Sequence, residues 1–120
     1  MNWLLVVVGA AVGAPLRYLT DRAVQARHES VFPWGTLAVN ATGSLVLGTL
    51  TGAAVSSGVY ALLGTGLCGA LTTYSTFSYE TLRLAELGRK FLAAANAAVS
   101  VLVGIGAVVL GGALGEALLR

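Results

Sequence analysis

Gly69-Ala70-Leu71-Thr72-Thr73-Tyr74-Ser75-Thr76-Phe77-Ser78 is the stretch on which the reading of this chain turns. It holds five serine and threonine hydroxyls and an aromatic pair three residues apart, Tyr74 and Phe77. Between Ser30 and Tyr79 no Asp, Glu, Lys, Arg or His interrupts the sequence. Hydroxyls in so apolar a setting need partners, because an unsatisfied polar group in hydrocarbon costs on the order of several kcal/mol. Lining an aqueous path or an ion site is one way to find them.

Working outward, the composition places the segment in a membrane. The 120 residues are 57% hydrophobic and 10% charged, with a mean hydropathy of +0.84; soluble domains carry about 25% charged residues. A spanning helix needs roughly 20 apolar residues. Four windows qualify, at about 2–19, 34–55, 59–84 and 91–118, and they make a single four-span domain with short connections. The first window is expected to be a span rather than a cleaved leader, since nothing positive precedes it and a second span follows. The single Cys68 excludes an internal disulfide. The basic residues gather at loop edges, which suits lipid headgroups better than nucleic acid.

Local signals set the boundaries. Pro33 precedes Trp34 at a helix start, Ser56-Ser57-Gly58 reads as a minimal turn, and Gly88-Arg89-Lys90 closes the third span. Pro15 is expected to kink the first span. Small residues recur at four-residue spacing at Gly9 and Gly13, at Gly48 and Gly52, and less regularly at Gly104, Val108 and Gly112. Such faces let helices approach closely. In the third span, Gly64, Gly66 and Gly69 crowd ahead of Thr72-Thr73. Two readings stay open there. One is a broken helix whose freed carbonyls coordinate a hard cation; the other is a continuous helix whose threonines bond back to their own turn.

The chain resembles the small bacterial fluoride channels of the Fluc (CrcB) type. The resemblance covers all four spans. It rests on Gly9-x-x-x-Gly13-Ala14-x-x-Arg17-Tyr18, on Gly35-Thr36-Leu37-x-Val39-Asn40-x-x-Gly43-Ser44, and on Gly66-x-Cys68-Gly69-x-Leu71-Thr72-Thr73-Tyr74-Ser75-Thr76-Phe77-Ser78. Asn96-x-x-x-Ser100-x-x-x-Gly104 adds a weaker match. The resemblance implies an all-α membrane fold of four helices with the third broken, assembled as a dimer of oppositely oriented subunits. It also implies a structural sodium ion at the dimer interface, held by the main-chain carbonyls of Gly69 and Thr72. The fluoride path would fall on the amide of Asn40, on Tyr74 and Phe77, and on a polar track of Ser75, Thr76, Ser78 and Ser100. Arg17 matches a vestibule arginine.

One residue departs from the family pattern: the first aromatic of the pair, usually phenylalanine, is Tyr74. An aromatic ring has a positive edge that stabilises an anion; tyrosine keeps the edge and adds a hydroxyl, which leaves its pore role open. The chemistry otherwise suits an anion path. Fluoride must exchange water for donors, and neutral donors do not trap it. Asn40 offers two N–H groups and each Ser or Thr hydroxyl offers one, while no Lys or Arg stands in a span centre. Outside its motif Asn40 would read as an interhelical bond, Asn96 reads as structural glue, and His28 as a solvated loop residue.

Charge asymmetry bears on orientation. In a four-span chain the first and third loops share one side, and that side carries Arg17, Arg22, Arg27, Arg83, Arg89 and Lys90 against Arg120 on the other. Leaving out Arg17 and Arg83 at the span edges still leaves four against one. The positive-inside rule then places the loops in the cytoplasm and both termini outside the cell membrane. A subunit that inserts both ways should be nearly balanced, so the bias favours a heterodimer with an oppositely biased chain; a homodimer stays open. The rival class is a small multidrug-type proton-coupled exporter, which needs an acidic residue within the first span, and here Asp21 stands only at its end. An enzyme is not expected, since no carboxylate pair lies in a span and no metal-ligand cluster exists. The function implied is passive fluoride export that relieves toxicity, driven by the membrane potential at about 2.3 kcal/mol per charge per 100 mV.

Overall fold

Apolar composition with short connections yields helices throughout. The computed structural model describes residues 2–27 and 32–119, the side chains of Asn2 and Ser75 excepted; His28 and Arg120 lie outside the described residues. Helix α1 spans Asn2–Ala26 and α2 spans Trp34–Ala53. The third passage is composite: α3 (Ser57–Val59) runs into a π-helical segment (Tyr60–Cys68), then α4 (Gly69–Leu71) and, after three residues, α5 (Ser75–Glu86). Helix α6 spans Lys90–Leu119. Every described element is helical.

The helix ends follow local chemistry more closely than hydropathy. Helix α1 runs through Pro15 without interruption and continues well past residue 19, because Arg22, Ala23 and Gln25 are good helix formers, although Asp21, Arg22 and Gln25 are too polar for lipid. Helix α2 begins at Trp34 behind Pro33, as expected, and ends on Ala54 in the left-handed conformation (φ 55°, ψ 47°). There the Ala54 N–H donates to the Thr51 carbonyl and the Val55 N–H to the Leu50 carbonyl, a C-terminal cap that satisfies orphan acceptors. The turn therefore falls at Ala54–Val55 and not at Ser56-Ser57-Gly58. Ser56 instead caps α3, its Oγ accepting from the Val59 N–H at 3.3 Å, the ordinary use of serine at a helix start. The α5–α6 turn closes on Gly88 at φ 79°, where only glycine avoids strain.

Close backbone approach organises the packing. Helices α2 and α6 interlock: a Cβ on Gly48 or Gly52 would strike the backbone of Val108 or Gly112, and one on Gly111 or Gly115 would strike that of Leu45 or Thr49. Helix α1 meets the π-helical segment in the same way, with Gly9 and Gly13 against the backbone of Leu62 and Leu67. Gly104 was expected in such a face but has open space beside it; Val108 and Gly112 do meet α2, and Gly111 and Gly115, about two and three helical turns beyond Gly104, complete the contact face of α6.

Among the described residues two helices, Trp3–Ala26 and Lys90–Leu119, are long and apolar enough to cross a membrane. At 30 residues α6 is about 45 Å long. Only 6% of its most apolar window is buried within the chain, so its side chains need lipid or another chain as cover.

Candidate ion pathway

The interruption between α4 and α5 builds the site. Thr72 is extended (φ −78°, ψ 160°), which carries the chain out of helical register before Ser75. Asn40, from the middle of α2, meets the released backbone. Its Nδ2 donates to the Thr73 carbonyl at 3.0 Å, and its Oδ1 accepts from the Thr73 N–H at 2.7 Å. The side-chain amide thus pairs with Thr73 as a neighbouring peptide would. The Thr73 Oγ1 then accepts from the Thr76 N–H at 3.1 Å, capping the start of α5.

These two bonds have a consequence for the carbonyls behind them. In a continuous helix the Thr73 N–H would serve the Gly69 carbonyl, and the Thr76 N–H would serve that of Thr72. Both donors are diverted to side-chain oxygens. Gly69 and Thr72 are the two residues whose carbonyls the family resemblance assigns to a cation, and both border a cleft of about 350 Å³ with Gly43, Ser44 and Cys68.

A second cleft, of about 320 Å³, brings together Asn40, Thr73, Tyr74, Phe77 and Ser100. The rings of Tyr74 and Phe77 lie 6.3 Å apart between centroids and are tilted by 42°. Tyr74 is 80% exposed in the isolated chain. Across Thr73 a third cavity, of about 240 Å³, is lined by Arg17, Asp21, Thr36 and Thr76. The expected pore residues therefore divide: Asn40, Tyr74, Phe77 and Ser100 meet in one cleft, while Arg17 and Thr76 face the adjoining one. Ser78 is exposed and borders neither. The Ser75 side chain lies outside the described residues.

Asn40 does not present both of its N–H groups to the cleft. One is committed to Thr73, so a single N–H remains for a ligand.

The sequence reading missed three residues that shape the site. Glu80, half-buried on α5, accepts a 2.5 Å hydrogen bond from Thr36 Oγ1, and Thr36 is almost fully buried. The available signal was spacing: Thr76 and Glu80 stand four residues apart on one face of α5. Thr81 takes part in a network with Asn96 and Ser100 described below.

Helices throughout the described residues, two of them long, apolar and uncovered, with a half-buried group of neutral donors between, fit a small α-helical membrane protein. The chain belongs to the CrcB-like family: the family model described as CrcB-like protein, Camphor Resistance (CrcB), matches residues 4–112. It is 70% identical over 116 residues to a protein of Streptomyces avermitilis named fluoride-specific ion channel FluC 1, covering 92% of this chain and 93% of that one. It is 65% identical over 126 residues to a protein of the same name from Frankia casuarinae, covering 98% of each. A Nocardia farcinica protein, also named fluoride-specific ion channel FluC 1, is 52% identical across 90% of this chain and 76% of its own length.

Proposed function

We propose that the chain is a subunit of a fluoride-selective channel giving passive fluoride export across the cell membrane, and not an enzyme. The observation that carries this reading is the cleft in which Asn40, Phe77, Tyr74 and Ser100 converge, in a chain whose relatives bear the name fluoride-specific ion channel. The groups there are an amide N–H, a hydroxyl and aromatic edges. All are neutral, which lets an anion be held and released. The Arg17 cavity on the far side of Thr73 serves as the vestibule, where a fixed positive charge raises the local anion concentration. A proton-coupled exporter is disfavoured by the lack of any acid in α1 before Asp21.

The dimer, the sodium ion and the topology belong to the same proposal. Gly69 and Thr72 carbonyls, relieved of their helical donors, are suited to a hard cation such as sodium. The main-chain carbonyls of Gly69 and Thr72 would hold such an ion, which would supply positive charge to offset the carbonyl dipoles freed at the interruption. The high exposure of Tyr74 is accounted for by an oppositely oriented second subunit that completes the path. The chain crosses the membrane four times with its termini outside, and its charge bias favours a heterodimer.

Growth in fluoride tests the function. Cells stripped of their own fluoride exit routes are expected to grow in fluoride when they express this chain with an oppositely biased relative, and Asn40→Leu should abolish the rescue. Equal sensitivity with and without the expressed pair would refute the proposal.

A further inference from the structure

The buried amide of Asn96 lies off the path, yet it sets the direction in which a path hydroxyl points. Asn96 is 1% exposed and stands in a run of three hydrogen bonds. Ser100 Oγ donates to Asn96 Oδ1 at 3.3 Å; Asn96 Nδ2 donates to Thr81 Oγ1 at 2.8 Å; Thr81 Oγ1 donates to the Phe77 carbonyl at 2.8 Å. The polarity is forced from the far end. A carbonyl oxygen only accepts, so the one Thr81 proton goes to Phe77. Thr81 then meets Asn96 as an acceptor, and the amide nitrogen must face it. That leaves Oδ1 toward Ser100, and an amide oxygen also only accepts. The Ser100 proton is therefore drawn back to Asn96, and its oxygen shows lone pairs to the cleft shared with Phe77 and Asn40. In that state Ser100 opposes an anion.

We propose that Asn96 is a positioning residue that holds Ser100 in this acceptor state, so that Ser100 serves fluoride only when its O–H swings from Asn96 into the cleft. The inference rests on the fluoride-channel reading above. The bond that must open is the weakest of the three: 3.3 Å against 2.8 Å and 2.8 Å, and beyond the usual range of about 2.5–3.0 Å for O–H···O. The bond that replaces it is charge-assisted and about twice as strong as a neutral one. Only a proton moves, so Ser100 returns to Asn96 once the ion has passed. Asn96 competes with fluoride for one proton and so keeps the site weak enough to release its ion.

The test is fluoride efflux from liposomes holding the assembled channel, measured over a series of loaded fluoride concentrations. Asn96→Leu removes the competing acceptor at similar volume. With Ser100 present it should lower the half-saturating fluoride concentration about fivefold, the equivalent of one neutral hydrogen bond. In a Ser100→Ala background it should change nothing, because the proton it frees is gone. The same shift in both backgrounds, or none in either, overturns the proposal. Should Asn96→Leu fail to insert, Thr81→Val carries the test: it removes the acceptor that pins the amide nitrogen, the amide can then turn, and the shift should run in the same direction and again require Ser100. No shift with Thr81→Val overturns the proposal too. The unaltered channel is the control arm; if it releases no fluoride, the functional reading itself fails.

Discussion

At the scale of single residues, Asn40 does structural work beside the pore role proposed for it. It satisfies both backbone groups of Thr73 at the interruption, and a buried group left without its partner costs about 1–3 kcal/mol. Asn40→Leu is therefore expected to lower the unfolding midpoint in detergent as well as abolish flux, where a residue that only lined the path would alter flux alone. Thermal scans of purified protein distinguish the two. Tyr74 makes a separate prediction: Tyr74→Phe keeps the ring edge and should conduct at least as well as the unaltered chain, whereas Tyr74→Leu removes it and should slow fluoride efflux by about tenfold, the rate effect of about 1.4 kcal/mol. Equal flux from the two variants would remove Tyr74 from the path. The motif around Asn40 was legible in the sequence, but the bond to Thr73 was not, because it joins positions 33 residues apart. Glu80 was overlooked for a similar reason. It stands just past the uncharged run, and its partner Thr36 is 44 residues away.

At the scale of elements, glycine placement decides which helices touch. Gly111→Val is expected to prevent assembly of α2 with α6, since its side chain would enter the backbone of Leu45 and Thr49. Gly104→Ala and Gly106→Ala meet open space in the subunit and should leave its stability within about 0.5 kcal/mol. Expression and monodispersity of the three variants check this, and equal tolerance would contradict the interlocked packing. Four helical stretches were readable from hydropathy, because a long apolar run favours helix. Their ends were less so: the window records where lipid stops, while α1 continues for another two turns on helix-compatible polar residues. The π-helical turn at Tyr60–Cys68 had no readable signal, since the glycines it contains fit a softened α-helix equally well. The use of Gly111 and Gly115 in place of Gly104 depends on how far α6 slides along α2, which spacing within one helix does not encode.

At the scale of the whole molecule, the chain measures 47 Å along its longest axis, enough for a bilayer of about 40–45 Å including headgroups. Its uncovered apolar surface and exposed Tyr74 are the features that an oppositely oriented partner would explain. Accessibility tags on each terminus in whole cells should show both outside; an even mixture of orientations would replace the heterodimer with a dual-topology homodimer. Replacing sodium by a bulky organic cation should weaken the dimer, read by sedimentation in detergent, and unchanged association would remove the ion from the Gly69–Thr72 carbonyls. The most direct test of the account is ion release from liposomes containing the purified chain with an oppositely biased relative, followed by fluoride and chloride electrodes in parallel. The account predicts rapid fluoride release with chloride retained. Release of both ions, or of neither, would contradict it.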